Sequence, residues 1–199
     1  MTMRVAGWAL LAGALFSAST SAGAPSEQSV LSFVDRSRAV AQSLVSQIAG
    51  ELVREMEASG PLRGIIVCKY TAPEVAAQES RRSGMRVTRV SRKPRNPALG
   101  FPDVWEQRVL AMFDEKVASG VRAETLEHWE VVQEPMGTYL RYMKAIPTKK
   151  LCLNCHGPID QISSAVLGQL GHEYPHDTAT GFTEGSVRGA VTVKKLWTE

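Results

Sequence analysis

Two cysteines and a histidine lie close together in the order Cys152-Leu153-Asn154-Cys155-His156. This C-x-x-C-H spacing is the signature of covalent haem attachment. Thiols three residues apart on a helical turn face the same way, so both can form thioethers with the two vinyl groups on one edge of a porphyrin. The adjacent imidazole then reaches the iron as an axial ligand. The spacing therefore predicts one covalent haem c, attached at Cys152 and Cys155, with His156 as a ligand of the iron.

Two other chemistries also use a C-x-x-C pair. A structural zinc site has four ligands, usually in two separated pairs, whereas this chain has one pair, which Cys68 or His172 would have to complete. A redox dithiol usually lies in a thioredoxin-like βαβ unit, and the chain shows no parallel-strand pattern. We expect haem, and we keep a structural zinc-binding protein as an alternative.

The motif leaves the second axial position of the iron open. Haem attachment uses two of the three cysteines and leaves Cys68 without a disulfide partner. Cys68 follows an apolar run, and residue chemistry alone leaves an inert buried thiol and an iron-bound thiolate equally open. Other side chains could also bind iron, although each fits a core, turn or solvated position: His128, Met136, Met143, His172 and His176.

Residues 1–24 have the features of a secretory signal peptide. Arg4 provides a positive start, residues 5–17 are apolar but short for a membrane span, and Ala22-Gly23-Ala24 supplies small residues for cleavage. We expect export to the periplasm and a mature protein that begins near residue 25, with a retained anchor as the alternative. After cleavage, no later apolar run is long enough to span a bilayer.

The composition is that of a soluble globular protein. The chain has 199 residues, which predicts one domain, and its net charge of +3 gives no reason to expect a nucleic-acid partner. Apolar residues recur at spacings of three and four over residues 26–59, which predicts a long amphipathic helix that ends at Gly60-Pro61. This helix either packs on the sheet of its own chain, which we favour, or pairs with a copy of itself in a homodimer.

The remaining residues, 61–199, are expected to form the haem c-binding domain that follows the N-terminal helix of residues 25–60. Helical spacing and strand-like alternation succeed each other along this part of the chain. Thr71 and Asp160 are the expected helix N-caps. The pattern predicts an α+β fold with an antiparallel sheet flanked by helices. The helices are expected at 71–82, 102–119 and 160–170, the strands at 85–91, 126–133, 138–146 and 187–196, the hairpin turn at 134–137, and loops at 92–102 and 171–185.

An ordered series of short motifs runs through nearly the whole mature chain. The series resembles the bacterial Tll-like c-type haem-binding domain family, which has a PAS-like fold and includes stand-alone exported cytochromes and sensory modules. One departure is Leu99-Gly100-Phe101, where the family tends to have Asn and a single residue before Pro-Asp. The matching stretches are Val67-Cys68, Ala72-Pro73-Glu74, 89–91, Arg95-Asn96-Pro97, 102–106 (PDVWE), 152–157 (CLNCHG), 174–182 (YPHDTATGF) and 185–190 (GSVRGA).

The resemblance implies a haem held by His and Cys, which assigns His156 and Cys68 as the two axial ligands of the iron. A haem also carries two propionates, which pair well with arginine. Arg95, beside Asn96 in a predicted loop, is our best candidate for that pairing. Arg95 is the last residue of the most basic stretch of the chain. For each single residue of this stretch, the alternative is a position on a solvent-exposed strand face. The stretch consists of Arg81, Arg82, Arg86, Arg89, Arg92, Lys93 and Arg95.

Two protein ligands would leave the iron no open position for a substrate, so we do not expect an enzyme. An anionic thiolate would favour ferric over ferrous iron. The sequence therefore predicts a periplasmic mono-haem cytochrome c that acts in redox or gas sensing, or in electron transfer, with a redox or signalling protein as partner. A soluble electron carrier without a sensing role is the alternative.

Overall fold

The computed structural model describes residues 23–198. The expected signal peptide, residues 1–24, lies outside the described residues except for its last two. Among the described helices, none combines the length and the apolar character that a membrane span requires.

The longest element is α1, Glu27–Ser59, as the periodicity predicted. Ser26 caps its N-terminus, because the Ser26 Oγ accepts a hydrogen bond from the Ser29 N–H. Gly60 ends the helix with a φ of 76°, a conformation that glycine adopts without strain. One face of α1 is buried against the sheet of the same chain. This arrangement is the one we favoured, and pairing of α1 in a homodimer stays a prediction.

A second long helical stretch follows directly and contains one wide turn. It consists of α2, Pro61–Ile66, a π-helical turn, Val67–Thr71, and α3, Ala72–Ser83. The prediction that Thr71 caps a new helix is wrong, because Thr71 has helical dihedral angles and its side chain makes no cap hydrogen bond. The wide turn lies where the ring of Pro73, which has no N–H, would crowd the carbonyl group four residues earlier.

Four antiparallel strands form the sheet. They are β1, Arg86–Val90, β2, Glu127–Glu134, β3, Gly137–Pro147, and β4, Val187–Leu196. Their spatial order is β1-β4-β3-β2, and β2 and β3 form the predicted hairpin. The predicted PAS-like α+β architecture, with an antiparallel sheet, flanking helices and a long N-terminal helix, is confirmed.

The other helices are short, apart from one of fifteen residues. They are α4, Pro97–Gly100, α5, Val104–Ala118, α6, Leu153–His156, and α7, Ser164–Glu173. Ser163 caps α7, because its Oγ accepts a hydrogen bond from the Val166 N–H. The prediction of Asp160 as the cap is therefore wrong, and α7 runs three residues into the expected loop at 171–185.

The two faces of the sheet pack against different helices. The buried apolar residues of α1 and α3 contact one face, which carries Val87, Leu140, Tyr142, Val191 and Val193. The buried residues of α5 contact the other face, which carries Val90, Met143, Ala145 and Ala190. Because α1 and the sheet share a core, α1 helps to position the strands. The expected division into residues 25–60 and 61–199 stays a prediction.

The motif at residues 102–106 holds α5 on the sheet. Asp103 and Glu106 form a capping box at the N-terminus of α5. Both carboxylates also pair with Arg141 of β3, at 2.6 and 3.2 Å, and Glu134 is a third partner of that guanidinium group. The Arg141 guanidinium carbon lies 4.4 Å from the centre of the Trp105 ring. The motif therefore has a structural role on the α5 side of the sheet.

Gly189 allows β1 and β4 to approach closely where the Arg188-Gly189-Ala190 motif begins. A Cβ atom at this position would lie 2.4 Å from the Val90 carbonyl oxygen, a backbone atom that cannot move aside alone. We expect Gly189→Ala to lower the free energy of unfolding by about 1–3 kcal/mol, the usual cost of overpacking. Thermal unfolding followed by circular dichroism should show a fall of about 2–4 °C in Tm for each kcal/mol.

Gly168→Ala is the matched control for this prediction. Gly168 lies within α7, and apart from its chain neighbours and the adjacent backbone of the helix, no atom lies within 4 Å of a Cβ added there. Replacement of glycine by alanine in a helix stabilises by roughly 0.5–1 kcal/mol, so the Tm of this variant should rise slightly. A Tm for Gly189→Ala equal to that of the parent would contradict the close approach of the two strands.

Candidate functional site

A cavity of about 650 Å³ lies between α1, the α2–α3 stretch, β1 and the segment that carries the C-x-x-C-H motif. This volume lies within the range of small-molecule and cofactor sites, roughly 300–1,000 Å³. Cys68, Cys152, Cys155 and His156 all line the cavity. Its α1 wall is apolar and consists of Leu44, Val45, Ile48, Ala49, Leu52 and Met56.

A tight local fold presents the motif to the cavity. A 3-10 turn, Lys150–Cys152, leads directly into α6, so that the two cysteines lie one helical turn apart. Both thiols are free and both residues line the cavity. Burial raises the pKa of the Cys155 thiol, which is therefore protonated at neutral pH. The structure thus places the cysteine pair as the spacing predicted.

His156 is oriented through one ring nitrogen. Its Nδ1 lies 2.7 Å from the Ala179 carbonyl oxygen. Because a carbonyl oxygen can only accept, Nδ1 must carry the proton, and Nε2 keeps its lone pair. Burial, reinforced by the charges of Arg188 and Arg95, lowers the pKa of His156 well below its ordinary value. The imidazole is therefore neutral at physiological pH, the state that binds metals.

Arg95 holds together the segments on either side of His156. Its Nε donates to Asp177 Oδ2 at 2.9 Å, and its Nη2 donates to the carbonyl oxygens of Cys155 and Ala179. Asp177 Oδ1 in turn accepts from the Ala179 N–H at 2.7 Å. Arg95 lines the cavity, as expected of a propionate partner. Pairing with a propionate stays a prediction, and the visible contacts of Arg95 position the carbonyl group that orients His156.

Cys68 reaches the cavity from the π-helical turn. Turns of this type are rare and frequently occur at functional sites. A thiolate at Cys68 would act electrostatically on Cys155, Arg89 and Arg188, since its charge contributes to the pKa of each. Cys68 therefore shares the cavity with the motif, as the assignment of an axial ligand requires.

The other candidate ligands lie elsewhere. Met143 is buried between the sheet and α5, and Met136 is 82% exposed at the hairpin turn. His128 packs beside Trp105, with ring centres 5.9 Å apart, and His172 and His176 are exposed. None of these five residues lines the cavity. Met56 of α1 does line it. This thioether was not recognised from the sequence, because it lies within an ordinary apolar stripe.

The cavity also contains two arginines that the sequence pattern did not identify as partners of a ligand. Arg89 of β1 and Arg188 of β4 both line it. Alternation along β1 could have identified Arg89, because Val87 is buried and the residue two positions later points to the same face. Arg188 belongs to the motif at residues 185–190. The motif alone does not show to which face of β4 the Arg188 side chain points.

No part of the chain from residue 23 to residue 198 brings together three or more His, Cys, Asp or Glu side chains as a metal-binding cluster. Structural zinc sites use four such ligands. The geometry therefore gives the zinc alternative no support.

Comparison with known proteins places the chain in a defined family. The model of the family described as Tll0287-like matches residues 22–195. Among solved structures, the cyanobacterial haem protein Tll0287 is similar, with a TM-score of 0.60, 22% sequence identity, and coverage of 88% of this chain and 99% of that chain. At this identity the likeness shows a shared fold. No curated protein matches the sequence significantly.

Proposed function

The chain belongs to the Tll0287-like family, and we propose that it binds one haem c covalently through Cys152 and Cys155. In this proposal, His156 and Cys68 would bind the iron. The observation that carries it is that Cys68, which is distant in sequence from the motif, lines the same cavity as Cys152, Cys155 and His156. The family and the fold shared with a haem protein support haem binding in general, and covalent attachment is inferred from the motif.

The residues of the cavity fit such a group. The apolar α1 wall suits a flat macrocycle, and the volume of about 650 Å³ is that of a cofactor site. The Cys152 and Cys155 thiols lie one helical turn apart, and the His156 imidazole keeps Nε2 free because Nδ1 is bound to Ala179. A metal ion without a macrocycle would instead need a cluster of ligand side chains. It would not need an apolar wall.

Bound haem supplies an iron that accepts and releases one electron. The residues of the chain determine how that iron is used. His156 and Cys68 would both bind the iron, which would leave it no site for a substrate, and the apolar walls would restrict water. We therefore propose a role in electron transfer or in redox and gas sensing, without catalysis. The proposal includes export to the periplasm through residues 1–24 and action with a redox or signalling protein.

The first test is chemical. The full chain, produced with the c-type haem maturation machinery, should show the mass of the polypeptide plus one haem after denaturation. We expect Cys152→Ala combined with Cys155→Ala to lose this added mass completely, because no thioether can form, and to release any haem into acidified organic solvent. The pyridine haemochrome spectrum should report thioethers in the parent alone.

Cys68→Ala is the control, since it removes the third cysteine and should keep the added mass. The same mass spectra report the N-terminus and so test cleavage near residue 25. A matured parent protein that is colourless and has the mass of the bare polypeptide would overturn the proposal. Electron exchange with periplasmic redox proteins, measured on the matured protein, would distinguish a carrier from a sensor.

A further inference from the structure

The cavity has an unusual balance of charges. Six cationic residues line it, and no Asp or Glu of residues 23–198 does so. Three of these cations are paired with carboxylates: Lys69 with Glu173, Arg81 with Glu74 and Arg95 with Asp177. Lys149 is exposed to solvent. Arg89 and Arg188 remain, and both belong to the sheet.

Arg89 is the clearest case of an uncompensated charge. It lies on the inner face of β1, opposite Val191, which is completely buried. Its guanidinium group makes no hydrogen bond or ion pair with any residue that the structure describes. Burial lowers the pKa of Arg89, as it does for a cation removed from water without a partner. Natural proteins rarely tolerate such a charge without a function for it.

Arg188 has only neutral partners. Its Nη1 donates to the Ser91 hydroxyl at 3.1 Å and to the Lys93 carbonyl oxygen at 3.4 Å, and its buried Nε has no partner among the described residues. Asp177 is a carboxylate whose charge acts on Arg188, but Asp177 is ion-paired with Arg95. The side chain is therefore held in place with its charge uncompensated.

A haem would supply two carboxylates to these two cations. We propose that Arg89 and Arg188 bind the two propionate groups, so that both carboxylates are bound within the cavity against β1 and β4. This inference rests on the proposed function. The anionic Cys68 thiolate does not remove the need for it, because a ferric porphyrin core carries one positive charge that the thiolate balances. Two positive charges on the protein then face two negative charges on the ligand.

The test compares two porphyrins that differ only in these carboxylates. The full chain with Cys152→Ala and Cys155→Ala is titrated with haemin and with haemin dimethyl ester, whose propionates are uncharged. We expect haemin to bind at least about tenfold more tightly, the usual effect of a charge-assisted hydrogen bond. Addition of Arg89→Gln and Arg188→Gln should abolish this preference by weakening haemin binding alone. Arg86→Gln, an exposed position on the same strand, should leave it unchanged.

Equal affinities for the two porphyrins, or an equal loss of both in the arginine variant, would overturn the propionate assignment and leave haem binding intact. Binding of neither porphyrin would overturn the proposed function itself. If the double alanine variant does not fold, the same titrations are made on the full chain with intact cysteines, produced without the maturation machinery.

A measurement on the haem-free chain separates this assignment from a structural role. If Arg89 serves only a ligand, Arg89→Gln removes a partly buried, uncompensated charge, and urea unfolding of the haem-free chain should occur at an equal or higher midpoint. A lower midpoint for the haem-free variant would mean that Arg89 stabilises the fold, and would overturn its assignment.

Discussion

Asp177→Asn is expected to lower the free energy of unfolding by about 3 kcal/mol or more, the cost of removing the charge of one partner in a buried ion pair. The side chains of Arg95 and Asp177 are 8% and 12% exposed, so that the arginine would keep its charge without compensation. An asparagine amide would also direct N–H groups or a weaker acceptor towards the guanidinium group. Urea unfolding of the haem-free chain, followed by circular dichroism, measures the loss.

Asp114→Asn is the matched control. Asp114 pairs with Arg92 at the same distance of 2.9 Å, but those side chains are 43% and 58% exposed. Exposed pairs contribute about 0–1 kcal/mol, so this variant should be close to the parent. An equally small loss for both variants would mean that the Arg95–Asp177 pair does not stabilise the loop that carries Ala179.

The same substitution should disturb the site, because the pair is linked to His156. Asp177 holds the Ala179 N–H, Arg95 binds the carbonyl oxygens of Ala179 and Cys155, and Ala179 orients the imidazole. Groups that orient a metal-binding histidine typically affect metal affinity by 10- to 100-fold. In the matured protein, we expect Asp177→Asn to alter the haem spectrum, whereas Asp114→Asn should not.

Local patterns predicted the elements that depend on near neighbours in the sequence. The apolar stripe of α1, the alternation in β4 and the turn between β2 and β3 were each sufficient. The cysteine pair could also be predicted, since a single helical turn determines where both thiols point. These features require no knowledge of how distant segments pack.

Features that depend on long-range packing could not be predicted. The π-helical turn that carries Cys68 continues from α2, whose start the pattern did not reveal, so Thr71 was assigned as a cap. Ser163 and Asp160 are both good N-caps, and only the packed position of α7 distinguishes them. The direction of Arg188, and the role of residues 102–106 as partners of Arg141, follow from strand register that the sequence alone does not determine.

Cys68→Ala in the matured protein is expected to raise the reduction potential by about 100 mV or more, a fraction of the roughly 0.8 V range over which axial ligands set it. The parent residue would supply an anionic sulfur that stabilises ferric iron. Its replacement would leave one axial position without a protein ligand, so the ferric variant should bind added imidazole at least about tenfold more tightly than the parent, in which imidazole must displace the thiolate. Spectroelectrochemistry and imidazole titration measure the two effects, and thioether attachment should be unchanged.

Met56→Leu is the decisive comparison, because Met56 is the other sulfur-bearing residue, besides the two of the motif, that lines the cavity. Its sulfur packs against α2, since a Cβ added at Gly64 would lie 3.2 Å from it. If Cys68 is the ligand, Met56→Leu should keep the parent's potential and imidazole affinity. In the reverse pattern, Cys68→Ala would keep the parent's potential and imidazole affinity, and Met56→Leu would change both. That result would identify the Met56 thioether as the ligand of the iron. Since the thioether is neutral, the parent's potential would then lie well above that expected for a thiolate-bound haem.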